Sequence, residues 1–258
     1  MHNSFDIDAM LSGHVFGFLL LFARVGAVMM LFPGIGEPYV PPRSRLMVAF
    51  MLSLLMLEPM LPHLPPMPKQ PAELVQLIAY EVIVGLFFGT LMRLIMSALE
   101  ATGMIIGLQT GLSNATIINP AIATQSPLPA AFLSTVGLVL VFVTGIDHFL
   151  IRCTVSLYNM FPAGGVFMPG DMAQTVIQLT NGSFILGIEL AAPFMIMGLL
   201  LYSTLGIMQR LMPSVQLFMV SLPVQIWGGL MMFSLTVAGI LTVWLHYLDR
   251  TVADFFQG

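Results

Sequence analysis

LVQLIAYEVIVGLFFGTLMRLIMSAL, residues 74–99, carries only two charged side chains, Glu81 and Arg93, in 26 positions. A straight crossing of a bilayer needs about 17–25 apolar residues in helical form, and this block is long enough to make one. The rest of the chain has the same character. Of 258 residues, 58% are hydrophobic and 8% charged, and the mean hydropathy is +0.96. A soluble domain usually carries about a quarter charged residues, so a water-facing surface cannot be built from this composition. The solvent that remains is lipid, or other proteins of the same kind.

Five further blocks flank the first, and all read as helix. They are Gly13–Phe32, stopped by Pro33-Gly34, then Leu46–Leu57, Ala130–Ile151, Val176–Met212 and Val215–Leu248. The expected fold is an all-α integral membrane protein of about six hydrophobic helical blocks, several broken or kinked, in one membrane domain covering 1–258. The Pro-rich stretch 62–71 is expected to be an extended linker, because proline at that density suits neither helix nor central strand. Residues 1–12 hold Asp6 and Asp8 and no Lys or Arg. They lack the basic start of a cleavable signal, so the first block is expected to stay in the mature protein.

Simple spans fit poorly. Leu46–Leu57 covers only about 18 Å at 1.5 Å per residue. The fifth block is too long for one crossing, and Pro193 is expected to break it; Pro223 falls near the start of the sixth. Lys69, Arg152 and Arg250 fall on one side of a six-span topology and Arg43, Arg45, Arg93 and Arg210 on the other, so the positive-inside rule selects no orientation. Protein neighbours as well as lipid must place these helices.

Arg24, Glu81, Arg93 and Glu189 interrupt otherwise apolar runs. A charge at the bilayer centre costs about 2.5–3.5 kcal/mol on insertion scales, so these four are expected in buried charge pairs or at protein interfaces; an ion path is the alternative. Glycines four apart (13/17, 85/89 and 103/107/111) share a helical face and allow close backbone approach. The last set runs on through Gln109, Thr110, Ser113 and Asn114 to Asn119-Pro120. Such a segment suits either a loop lining a cavity or an interfacial helix with a turn. Among 22 methionines, pairs such as Met29-Met30 and Met231-Met232 suit gap filling or an adaptable surface.

Catalytic patterns are missing: there is no HExxH, no GxSxG and no phosphate-binding glycine loop with Lys-Ser/Thr. The five histidines have no metal-ligand spacing, and the single cysteine, Cys153, excludes a disulfide framework. No cofactor is expected, and a net charge of −4 gives no sign of a nucleic-acid partner. A small-molecule secondary transporter is a competing class, with Glu81 and Glu189 as midplane groups. No internal repeat relates the two halves, and six blocks are few for such a fold.

Longer stretches resemble one family. "RVGAVMMLFPGIGEPYVPPRSR" (24–45) is similar to the N-terminal signature of FliR proteins. "GMIIGLQTGLSNATIINP" (103–120) is similar to their glycine-rich centre, and "GIDHFLIRCTVSLYNMFPAG" (145–164) to the region after their fourth block. "LMPSVQLFMVSLPVQIWGGL" (211–230) resembles their C-terminal hairpin motif through Pro213, Gln216, Phe218, Pro223 and Gly229, with Ser214-Val215 as a mild departure.

The resemblance implies a non-enzymatic subunit of the flagellar type III export gate in the bacterial inner membrane. It would share helical hairpins of FliP/FliQ-like architecture, with about 1–170 FliP-like and about 171–258 FliQ-like. One copy would assemble with FliP- and FliQ-type subunits and meet FlhB- and FlhA-type components, passing unfolded protein substrates. A plug loop is implied at about Gly107 to Gln125, including Gly107, Gln109, Thr110, Gly111, Ser113, Asn114, Asn119 and Pro120. The injectisome counterpart of the family would share fold and mechanism.

Overall fold

The computed structural model describes residues 4–113, 126–165, 169–211 and 217–257. Among these, every regular element is helical: α1 (Ser4–Leu31), α2 (Pro42–Met60), a 3-10 turn (Leu61–His63), α3 (Pro71–Gln109), α4 (Leu128–Val143), α5 (Ile146–Met160), α6 (Pro169–Leu211) and α7 (Leu217–Gln257). The segments Gly13–Leu31, Pro42–His63, Pro71–Gln109, Pro169–Leu211 and Ser221–Phe256 are long and apolar enough to cross a membrane. Contacts divide the chain into two units, 1–93 with 144–178 and 94–143 with 179–258.

In the first unit, α1 buries Leu20, Leu21, Val25, Val28 and Met29, the i, i+4 and i+1 spacing of one helical face. It ends where Pro33 and Gly34 (φ 89°) turn the chain. Arg45 then holds the loop to α2, donating hydrogen bonds to the Glu37 and Val40 carbonyls. Phe18, Phe22 and Phe50 form an aromatic cluster between α1 and α2, with centroids 5.1–6.2 Å apart. Gly17 admits the leucines that follow α2: a β-carbon there would lie 3.1 Å from Leu64 and 3.2 Å from Leu61.

The first half of α3 crosses α1 at Gly85 and Gly89. A β-carbon at Gly89 would fall 2.8 Å from that of Leu31, and one at Gly85 would overlap the Arg24 carbonyl. These glycines have four-residue spacing because two turns of α3 rest directly on the α1 backbone. Leu157 and Tyr158 of α5 complete this core.

The second unit is built on the rest of α3. The indole of Trp244, fully buried in α7, donates to the Ile95 carbonyl at 3.0 Å. Thr102 reaches the Gly187 carbonyl of α6 at 3.3 Å. Gly103 lies against the Ala130 backbone at the start of α4. Phe132, Phe233 and Phe194 join α4, α7 and α6 through edge-to-face contacts.

Several boundaries differ from the sequence reading, and the Pro-rich stretch 62–71 is extended only in its middle, since Leu61–His63 form a 3-10 turn and Pro71 starts α3. The second helix starts at Pro42, where proline suits the first helical turn, and reaches span length with the 3-10 turn. α3 runs ten residues past Leu99, because close packing at Gly103 and Gly107 offsets the weak helix propensity of glycine. The fourth block is two helices, parted at Thr144-Gly145, where Gly145 takes φ 74°. Pro193 and Pro223 lie inside continuous helices. Each removes one backbone bond, whereas a true break at membrane depth would expose several polar groups.

Candidate functional site

Two polar constellations are set into this apolar chain, one in each unit. In the first, Arg24 of α1 meets Glu81 of α3. Gly85 brings α3 onto the Arg24 carbonyl, and Glu81, one turn earlier on the same face of α3, is thereby aimed at the guanidinium. Nε donates to Glu81 Oε2 at 2.6 Å and Nη2 to Oε1 at 3.1 Å. The Tyr158 hydroxyl of α5 donates to Oε2 at 3.2 Å, while its ring lies under the guanidinium, 3.7 Å from centroid to Cζ. Arg24 and Glu81 are fully buried and Tyr158 nearly so. Among the described residues, Nη1 of Arg24 has no hydrogen-bond partner.

Among the described residues, this arrangement neutralises two charges internally, and both carboxylate oxygens of Glu81 are engaged. Bidentate geometry, ring stacking and a third donor compensate the desolvation that a buried ion pair suffers. Its chemistry is that of a fixed joint between α1, α3 and α5.

The second constellation surrounds the end of α3. The last four carbonyls of a helix lack intrahelical partners unless a cap supplies them. Here the Thr110 amide bonds to Ile106, Gly111 to Leu108 and Ser113 to Gly107, at 2.9, 3.3 and 3.1 Å. Gly111 has φ 74°, the left-handed conformation of a glycine helix stop. The fourth carbonyl, that of Gln109, accepts from Nε2 of Gln225 in α7 at 2.8 Å, and the same nitrogen lies 3.1 Å from the Tyr202 hydroxyl of α6. Gly198 of α6 makes room for the Gln109 side chain, and Gly229 of α7 for Thr110. Gly107 takes both flanks of the following segment: a β-carbon there would lie 2.8 Å from Ser113 Oγ and 2.9 Å from Pro127 Cβ.

The structure thus brings Arg24 and Glu81 together, and gathers Gly107, Gln109, Thr110, Gly111, Ser113 and Gly229 around one helix end. Gly107 and Gln109 are still helical, so the loop begins at Thr110, later than the sequence suggests. Arg93 and Glu189 are exposed and join neither constellation. For Glu189 the helical phase explains this: α6 buries Leu186, Leu190, Ala191 and Phe194, and position 189 falls off that face. Pro223 is exposed on α7. Asn114, Asn119, Pro120, Pro213 and Gln216 lie outside the described residues, as does the side chain of Phe218. Tyr158, Tyr202 and Gln225 were not singled out from sequence. Gln225 carried a faint signal, as a lone amide in an apolar run.

Among the described residues, no group of three His, Cys, Asp or Glu side chains is placed to hold a metal ion. Cys153 in α5 is buried, and burial pushes its thiol up to about 11, which leaves it protonated and unreactive near neutrality.

Long apolar helices joined by buried polar contacts define a multi-pass, all-helical membrane protein. The family model described as "Bacterial export proteins, family 1" matches residues 15–251. The flagellar biosynthetic protein FliR of Caulobacter vibrioides is 36% identical over 92% of this chain and 94% of its own length. FliR of Bacillus subtilis is 27% identical over 91% of each, and the Yop proteins translocation protein T of Yersinia pestis 29% over 59% of each. The chain belongs to the FliR family of bacterial export proteins. It is a non-enzymatic, membrane-embedded subunit of the flagellar export apparatus. Family and helices together support a place in the inner membrane, at the flagellar basal body.

Proposed function

We propose that the chain forms, with FliP- and FliQ-type subunits, the channel through which unfolded export substrates pass, one copy per complex, in contact with FlhB- and FlhA-type components. About 1–170 would take the FliP-like role and 171–258 the FliQ-like role. The observation that carries this reading is apolar surface left uncovered. α2 buries only Ala49 and Ser53 and exposes Met47, Phe50, Met51, Leu54 and Leu55. A patch of this kind calls for lipid or a protein neighbour. Lengths favour the neighbour. At 39 and 43 residues, α3 and α6 extend about 58 and 65 Å, roughly twice the hydrocarbon thickness. Arg93 and Glu189, exposed on this chain, suit interfaces with those neighbours.

The segment from Gly107 to Gln125 is proposed to close the channel at rest. Its polar residues hold the closed state with few apolar contacts, so the closing energy is small enough for a substrate to overcome. About 1.4 kcal/mol changes a closed-to-open ratio tenfold. Deletion of 114–125, which spares the capped end of α3, is expected to leave complex yield intact and raise ion conductance in reconstituted membranes. Normal yield with an unchanged, tight membrane would place the seal in another subunit.

A further inference from the structure

The end of α3 is capped in two ways. Three of its last four carbonyls are satisfied by the chain itself, through Thr110, Gly111 and Ser113. The fourth, Gln109, depends on a side chain 116 positions away. Gln225 is 3% exposed, so its amide cannot turn to water. It donates to the Gln109 carbonyl and reaches the Tyr202 hydroxyl, which binds α3, α6 and α7 at one point. Four residues on, a β-carbon at Gly229 would lie 2.5 Å from Thr110 Cγ2. The face of α7 that holds Gln225 therefore also receives the first residue beyond the helix.

We infer that Gln225 is a positioning residue, fixing where and in which direction the chain leaves α3. This deepens the proposal that the following segment closes the channel, and for its functional consequence it rests on that reading. Without the amide, the Gln109 carbonyl loses its side-chain donor, and the residue just before the turn at Thr110–Ser113 loses its hydrogen bond to α7. The Gly111 turn then frays, although the helices around it remain packed through Trp244 and Thr102.

The test is hydrogen exchange on the chain in its assembled complex, comparing wild type with Gln225→Asn, whose amide is one methylene too short, and Gln225→Met, which keeps the volume without the donor. The amides of Thr110, Gly111 and Ser113 are expected to exchange about fivefold faster in both variants, the factor that one net hydrogen bond represents. Amides near Ile95 and Gly187 should be unchanged. Equal protection of 110–113 in Gln225→Asn, or a rise spread over the whole unit, overturns the positioning role. Ion conductance of the same variants speaks to the other reading. Faster exchange with no added leak would keep the cap and refute closure by this segment.

Discussion

Removing the Arg24 guanidinium would strand the buried Glu81 carboxylate, with the Tyr158 hydroxyl as its one remaining partner among the described residues. Breaking a buried pair from one side typically costs about 3–5 kcal/mol, so Arg24→Ala is expected to lower both thermal stability and the yield of assembled complex. Arg24→Lys should fall between, since an ammonium cannot make the two parallel bonds or lie flat on the ring. Tyr158→Phe keeps the ring and loses one donor to a charged group, at about 1.5–3 kcal/mol. The double variant Arg24→Met with Glu81→Leu should recover much of the single-variant loss, because it removes both charges together. A melting series on wild type, Arg24→Met, Glu81→Leu and the double variant gives the coupling. Additive losses would mean that the pair does not act as a unit.

Glycine spacing looks the same in sequence at 13/17 and at 85/89, yet the elements use the two differently. A β-carbon at Gly13 meets nothing within 4 Å, whereas one at Gly85 lies 2.7 Å from Ala27 Cβ and overlaps the Arg24 carbonyl. Gly13→Ala is therefore expected to be neutral or to stabilise α1 by up to about 1 kcal/mol. Gly85→Ala should destabilise by about 1–3 kcal/mol, as overpacking does, and pull Glu81 away from Arg24. Thermal melts of the two variants distinguish them, and equal effects would contradict the α1–α3 crossing. The same contrast shows what was legible. Apolar runs announced the helices, since composition alone excludes a watery surface. Their ends were less legible: the segment from Gly103 read equally as loop or as interfacial helix, because the packing partners of Gly103 and Gly107, Ala130 and Pro127, lie far ahead in the sequence. Proline read as a break at Pro193 because sequence does not show the surroundings that make one lost bond cheaper than several. Arg24 and Glu81 each announced themselves as charges out of place, but their meeting across 57 positions, and the tyrosine beneath them, exist only in three dimensions.

At the scale of the molecule, the apolar surface that folding leaves uncovered matters most. Trp227, Leu235, Ile196, Leu199 and Leu211 are exposed on α6 and α7, as are Met47, Met51 and Leu55 on α2. In a membrane such side chains already face an apolar solvent, so association through them would rest on close van der Waals packing and interhelical hydrogen bonds rather than on removal from water. The flagellar family assignment supplies the setting, and the central claim is that this chain completes a channel with different partners rather than acting alone. Native mass spectrometry of the chain co-expressed with FliP- and FliQ-type subunits tests that claim most directly. One copy in a complex containing both partners is the expected mass; several copies, or a stable homo-oligomer free of partners, would contradict the account.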